Sequence, residues 1–314
     1  MDQEKFSAKK SARRSSAKTN EGSKRSKPSA GSQKNLLKAG LYLVATPIGN
    51  LQDLSLRGIE ILQNVDVIAC EDTRVTGKML SRHAIDTAMK AYHEHNAERA
   101  RPGLLRIIKA GGAVALVSDA GTPAISDPGF RLVNECILQG LEITAAPGAN
   151  AAITGLILSG LPTDRFLFTG FLPAKSNQRT KELAELAEVP TTLIFYESAK
   201  RLAAALADMV EQLGDRPAAV TRELTKLHEE IRRGSLSELS NHYQEAGAPK
   251  GEIVIVIGPP QKKVALTEAE LDVLIRQALP DNSVRDVAAE LARETGVAKR
   301  QIYARALELA KNGS

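Results

Sequence analysis

Cysteine, tryptophan and long apolar runs are scarce in this chain. Cys70 and Cys136 are the only cysteines in 314 residues. That leaves no disulfide framework and no cysteine metal site, and makes a reducing cytoplasm the simplest setting. Tryptophan is absent and aromatics make up 4%, which argues against a base-stacking platform as the main activity. No stretch approaches the roughly 18 apolar residues of a membrane helix, so no membrane association is expected. Hydrophobic residues at 43% still suffice for folded cores, and this length exceeds one ordinary core, so two or three domains are expected.

A further absence is local. No Lys or Arg lies between Lys109 and Arg131, while Asp119 and Asp127 fall inside that window. The window holds an apolar run, AVALVS, then the loop SDAGTPAISDPG, then a helical pattern over Phe130 to Gln139. The run reads as a buried parallel strand. Strand, glycine loop and helix make a ligand-binding corner, because ligands of open α/β sheets sit beyond the carboxyl ends of strands. Two acids without a cation repel a phosphate, and the loop matches neither G-x-x-x-x-G-K-[ST] nor G-x-G-x-x-G. A cationic or hydroxyl-rich ligand suits it better. The plainer alternative is an acidic turn in which Asp127 caps the following helix.

Charge is unevenly spread as well. Residues 1–40 hold eleven Lys or Arg against three acids, a net of +8 in a chain of net +5. With Phe6, Leu36 and Leu37 as its large apolar residues, this segment is expected to be a disordered basic tail, either adding phosphate contacts to RNA or merely solubilising. Residues 41–160 alternate strand and helix patterns (LYLVAT, VDVIAC, GAVALVS, LEITAA), and predict an α/β domain with a parallel sheet. The apolar helix of PGANAAITGLILSG, with Asn150 as N-cap, is expected to close it. Residues 161–260 carry RFLFTGF, TTLIFYES, AAVTREL and GEIVIVIG as strands of a second α/β domain. Residues 261–314 are charged and helical. Ser283 followed by Asp286 starts one helix and Gly296 breaks to another, a helix-turn-helix outline whose second helix bears Lys299, Arg300, Arg305 and Lys311.

In order along the chain stand LYLVATPIGNLQDLSLRG, CEDTR, HEHN, VSDAGTPAISDPG, PGANAA, SGLPTDRFLFTGFLPAK, FYESAKRL, RELTK and GEIVIVI. This series resembles the bacterial ribosomal RNA small subunit methyltransferase I family of the tetrapyrrole-methylase superfamily, from about residue 41 to 260 and on into the C-terminal helices. The resemblance implies a two-domain α/β fold with mostly parallel sheets plus a small helical domain, S-adenosylmethionine in the interdomain cleft, and 2′-O-methylation of a cytidine in the decoding region of small-subunit (16S) rRNA. It also implies a homodimer. The porphyrin-modifying relatives carry G-D-P where this chain has Gly121-Thr122-Pro123. The basic tail is foreign to the family pattern, and Ala149 stands where Pro or Ser is usual.

Carried over by motif, the cofactor contacts are Pro47 and Gly49, the loop residues Asp119, Ala120, Gly121, Thr122 and Ile125, the helix start Ala151 and Ala152, and Tyr196, Gly251 and Glu252 from the second domain. Ala151 and Ala152 equally suit plain helix packing. Methyl transfer to a hydroxyl gains from alignment and from a base that takes the proton. Glu71, Asp72 and His93, or His95, are the candidate bases, and Arg74 is a candidate phosphate holder. His93 and His95 as metal ligands lack a cysteine nearby, so no metal is expected. A tetrapyrrole methylase and a non-catalytic RNA-binding protein are the rival readings; the second leaves the cleft motifs unexplained. Gly121→Val is expected to block the cofactor while leaving the fold intact.

Overall fold

The computed structural model describes residues 37–260, 267–280 and 282–312. Of the expected tail, residues 1–36 lie outside these. Leu37 already packs on a core, and the first strand begins at Gly40.

The elements of the first sheet are β1 (Gly40–Val44), α1 (Leu56–Asn64), β2 (Val67–Cys70), α2 (Thr73–Arg82), β3 (Met89–Ala91), α3 (Ala97–Lys109), β4 (Ala113–Val117), α4 (Phe130–Leu138) and β5 (Ile143–Ala146). The strand order is β3-β2-β4-β1-β5, with every pairing parallel. Both faces are covered. Tyr42, Val44, Ile68, Cys70 and Ala115 point to one core with α1 and α2, and Leu41, Ala69, Val114 and Leu116 to another with α3 and α4. Burial on both sides is why these strands read as unbroken apolar runs. The helix after β1 and the helix after β4 thus lie on opposite faces although the two strands are neighbours. Their loops diverge at this point and open a crevice, as the rule for open α/β sheets requires.

Next come α5 (Ala151–Ser159), β6 (Phe166–Phe171), α6 (Ser176–Leu186), β7 (Thr192–Ser198), α7 (Leu202–Leu213), β8 (Pro217–Arg222), β9 (Glu230–Ser235), α8 (Leu236–Ala246) and β10 (Glu252–Ile257). The second sheet has the order β6-β7-β10-β8-β9. It departs from the expected parallel arrangement: only β6 and β7 run parallel, and the other three pairings are antiparallel. The β8–β9 connection is short enough to make a hairpin, which forces antiparallel pairing. Helix α5 also differs from expectation. It follows the first sheet in sequence but packs on the second, with Ala152 and Leu156 against Ile194, Val254 and Val256. Gly155 permits the approach, since a Cβ there would stand 3.0 Å from Val254 and 3.2 Å from Thr221. Asn150 is its N-cap as expected, accepting from the Ile153 amide at 3.1 Å.

The C-terminal helices are α9 (Glu268–Ala278), α10 (Val284–Thr295) and α11 (Lys299–Asn312). They enclose a core of their own, built from Leu271, Ile275, Val287, Ala288, Leu291, Ile302, Ala306 and Leu309. Ser283 caps α10 through the Asp286 amide, and Gly296 ends it in the left-handed region at φ 73°.

Candidate active site at the junction of two cavities

Three loops beyond the carboxyl ends of β1, β4 and β5 are tied together. Thr46 and Gly121 exchange backbone hydrogen bonds of 2.8 and 3.1 Å, and the buried Thr46 hydroxyl donates to the Ser118 carbonyl at 3.1 Å. Thr122 Oγ1 donates to the Ala149 carbonyl at 3.1 Å. The loop after β4 holds a tight path: Gly121, Ala124, Ser126 and Gly129 have φ of 84°, 68°, 57° and 148°. Two non-glycine residues in the left-handed region store backbone strain, which concentrates at functional sites. Asp127 does not cap α4, whose N-cap is Gly129 with no side-chain capping bond.

The second sheet supplies the opposite wall. Tyr196 on β7 accepts the Ala152 amide on its hydroxyl at 3.2 Å and stacks edge-on with Phe168 and Phe171, ring centroids 4.8 and 5.5 Å away. Strand alternation decides which β7 side chains face this wall. Ile194 and Tyr196 do. Phe195 lies in the core on the other face, and Glu197, in register with it, is buried there against Arg201 at 3.1 Å. Gly251 opens β10 at φ 106°, and any Cβ would collide with the Glu223 carboxyl. That carboxyl accepts from Lys226 Nζ at 2.8 Å and from the Glu252 amide at 3.1 Å.

Between these walls lies a cavity of about 430 Å³, lined by Ile48, Asp119 to Thr122, Ile125 to Asp127, Asn150, Ala151, Phe171, Tyr196 to Ala199, Leu224 and Gly251 to Val254. Its volume is that of a small-molecule site, apolar with a few convergent polar groups. Asp119, Asp127, Glu197 and Glu252 are its charged lining residues; no Lys or Arg joins them. Of the residues expected to touch a cofactor, Asp119, Ala120, Gly121, Thr122, Ile125, Ala151, Tyr196, Gly251 and Glu252 come together here. Pro47, Gly49 and Ala152 do not line it. Pro47 is buried, and Ile48 faces the cavity from that loop instead. Gly49 packs against the 224–226 turn, where a Cβ would sit 2.8 Å from the Leu224 carbonyl. Ala152 lends its amide to Tyr196.

A second cavity of about 1110 Å³ adjoins the first and shares Asp119, Ser126 and Asp127 with it. Its other lining residues include Glu71, Asp72, Arg74, Tyr92, His93, His95, Phe130 and Arg131. All four catalytic candidates therefore meet in one place, but their states differ. Asp72 is held: its carboxylate caps α2 through the Arg74 amide at 2.8 Å and pairs with the Arg74 guanidinium at 2.6 Å. These hydrogen bonds pull its pKa down to about 2, which leaves a poor base. Burial and the nearby Asp119 push the Glu71 carboxyl up. Asp119 accepts the Asp72 amide at 3.0 Å; burial still raises its carboxyl, against that hydrogen bond. His93 Nδ1 is buried without a partner. The His93 and His95 rings lie 6.1 Å apart, and among the described residues no group of three His, Cys, Asp or Glu is placed to hold a metal ion.

Sequence reasoning placed Asp127 in the acidic ligand loop but gave no site role to Ser126, Phe171, Leu224 or Val254. The strand patterns FLFTGF and EIVIVI carried the signal for Phe171 and Val254; nothing local marked Leu224.

The Gly121→Val expectation needs revision. Gly121 is bonded on both sides to Thr46 at positive φ, so a β-branched side chain strains the backbone as well as meeting Ile48 Cγ2 at 3.3 Å. The substitution is expected to lower stability by about 1–2 kcal/mol and to abolish ligand binding, as read by urea unfolding and calorimetry; unchanged stability would contradict the strain argument.

Residues 40–240 match the model of the tetrapyrrole (corrin/porphyrin) methylases, and residues 265–310 that of the RsmI C-terminal HTH domain. The chain is 50% identical over 274 residues to ribosomal RNA small subunit methyltransferase I of Mesorhizobium japonicum, covering 87% of this chain and 93% of that one. With the protein of the same name from Synechocystis it shares 46% over 277 residues, 87% and 99% of the two chains. Among solved structures, the cobalt precorrin-4 methyltransferase CbiF superposes with a TM-score of 0.52 at 17% identity, covering 69% of this chain and 94% of that one. That likeness concerns the fold alone.

Proposed function

Since this chain belongs to the ribosomal RNA small subunit methyltransferase I family of tetrapyrrole-type methylases, we propose that it transfers a methyl group from S-adenosylmethionine to the ribose 2′-hydroxyl of a cytidine in the decoding region of 16S rRNA. The observation that carries this reading is a pair of adjoining cavities, one with no cation in its lining and one bearing arginines. The carboxylates of Asp119, Asp127 and Glu252 border the smaller one, which has no Lys or Arg among its lining residues, while the larger one, bordered also by Glu71, Asp72 and Glu94, adds Arg74, Arg131, His93 and His95. An amino- and sulfonium-bearing cofactor without phosphate suits the first, and a polyanion suits the rim of the second.

S-adenosylmethionine supplies an electrophilic methyl group. Asp119 to Thr122, Ile125, Ala151, Tyr196, Gly251 and Glu252 would hold it, and the apolar Ile48, Phe171, Leu224 and Val254 would exclude water around it. Arg131, largely exposed and paired with Glu98 at 3.3 Å, is free to exchange that weak surface pairing for an RNA phosphate, while Arg74, held by Asp72 yet 87% exposed, offers a phosphate its remaining N–H donors. Residues 41–160 and 161–260 act as two lobes around the cofactor, with α5 seated on the second. Residues 261–314 dock RNA through Lys299, Arg300, Gln301 and Tyr303, all exposed on α11. Arg305 is withdrawn from that set: it pairs with Asp272 on α9 through two 2.6 Å contacts, and with Glu308. Residues 1–36 add phosphate contacts without register. Deleting them is expected to weaken RNA binding and flatten its dependence on salt while leaving the methylated nucleotide unchanged; an unaltered salt slope in a filter-binding titration would contradict this.

The protein works as a homodimer in the cytoplasm, where ribosomes are made. Exposed Phe130, Ile137 and Leu138 on α4 and Ile157 on α5 support self-association, Leu138 and Ile157 being 76% and 65% exposed. Among the described residues no helix is long and apolar enough to cross a membrane. Calorimetric titration with S-adenosylmethionine and with ATP tests the cofactor reading. The methyl donor binds and ATP does not; ATP binding of equal strength would sink the charge argument.

A further inference from the structure

We propose that Asp127 accepts the proton of the attacking hydroxyl, an assignment that rests on the methyl-transfer reading above and names the base for it. Asp127 stands where the two cavities meet, in the wall common to both. A base must reach the acceptor oxygen at the place where the methyl group arrives, so it has to border both compartments. Of the carboxylates around the site, Glu71, Asp72 and Glu94 border the larger cavity alone and Glu252 the smaller alone, and Glu197 lends the smaller one its backbone. Glu197 and Glu252 are further neutralised by Arg201 and Lys226. Asp119 borders both but is engaged by the Asp72 amide at 3.0 Å. Asp127 makes no ion pair among the described residues, and the segment that presents it is fixed by Ser126 and Gly129 at φ 57° and 148°.

Its surroundings also set its basicity. Glu71 faces it from the end of β2, Asp119 from the end of β4 and Tyr196 from β7; Glu252 shares its smaller cavity, and Asp72, Arg74, His93, Glu94, His95 and Arg131 its larger one. Burial first and the Glu71 charge second push its carboxyl up to about 6, with Asp119 adding and the Ser118 hydroxyl opposing. Such a group is mostly charged at pH 7 yet more basic than an ordinary aspartate, the compromise that proton transfer favours. As the hydroxyl oxygen takes the methyl carbon, the carbon–sulfur bond breaks with its electron pair left on sulfur. The O–H proton passes to the Asp127 carboxylate, and from there to water in the larger cleft.

The assignment predicts a methyl-transfer rate that falls as pH drops through about 6, because protonated Asp127 accepts nothing. Asp127→Asn is expected to bind S-adenosylmethionine more weakly, because the sulfonium loses an anionic neighbour, and at saturating cofactor to lose roughly 10²-fold or more in turnover together with this acid limb. Glu71→Gln removes a like charge and is expected to move the limb to lower pH. A readout independent of turnover is calorimetric titration with S-adenosylmethionine at pH 6 in buffers of different ionisation enthalpy. The sulfonium charge favours ionised Asp127, so the unsubstituted protein releases protons on binding and Asp127→Asn does not. Asp127→Asn turning over at the normal rate with its acid limb intact, or an unsubstituted protein with neither acid limb nor proton release, overturns the assignment while leaving methyl transfer standing. A protein that methylates no rRNA at all overturns the underlying reading and this assignment with it.

Discussion

A chain ending at Pro260 binds S-adenosylmethionine as the full chain does, but methylates small-subunit rRNA at least about 10²-fold more slowly, the effect of losing two docking contacts of about 1.4 kcal/mol each. Two features support this outcome. The core of α9, α10 and α11 contains only their own residues, so removing them strips no side chain from the four cores around the two sheets. The exposed Lys299, Arg300, Gln301 and Tyr303 are also the polar and aromatic groups that RNA contact needs. Arg300→Ala alone should lower the salt slope of RNA binding by about 1, and Arg305→Ala should not, because Arg305 is committed to Asp272. Methylation at the normal rate by the shortened chain would reduce these helices to a structural appendage.

Arg201→Met destabilises the protein by about 3–5 kcal/mol, because it leaves the Glu197 carboxylate buried without a counter-charge. Glu197 is 2% exposed, and Arg201 is its cation, at 3.1 Å. Arg201 also donates to the Leu172 carbonyl at 2.5 Å and to that of Pro173 at 3.3 Å, so it fastens the segment after β6. The double variant Glu197→Gln, Arg201→Met should recover much of the loss, since no buried charge remains. Urea unfolding checks both. A loss under about 1 kcal/mol for Arg201→Met would mean that Glu197 is solvated or neutral in the folded state. The same pair bears on the site, because the backbone of Glu197 and Ser198 lines the smaller cavity.

Much of the fold was legible because buried strands write themselves as apolar runs. VDVIAC, AVALVS, TTLIFYES and EIVIVI all contain strands. Two strands left no such trace. β3 is three residues long, Met89–Ala91, at the sheet edge with two of its residues exposed, and β9 reads EIRRGS, an edge strand with arginines on it. Edge strands face water and need no apolar run. The seat of α5 on the second sheet could not be read either, because its apolar residues suit either surface and only the tertiary fold chooses. At the site, the acidic loop was legible from its lack of cations. The separation of roles among the acids was not. Asp72 and Asp127 look alike in sequence, yet the Arg74 guanidinium takes one to about 2 and burial takes the other to about 6. The Arg74 partner sits two residues from Asp72, whereas the burial of Asp127 and its nearness to Glu71 come only from the folded chain.

The most direct test is to incubate the purified protein with isotopically labelled S-adenosylmethionine and small ribosomal subunits lacking the modification, then map the label by mass spectrometry of nuclease fragments. One methyl group on the ribose 2′-oxygen of a single cytidine in the decoding region is the result expected from a cavity without cations and one bearing arginines that meet at Asp127. Label on a base, label on no RNA, or transfer to a porphyrin or corrin in place of RNA would contradict it.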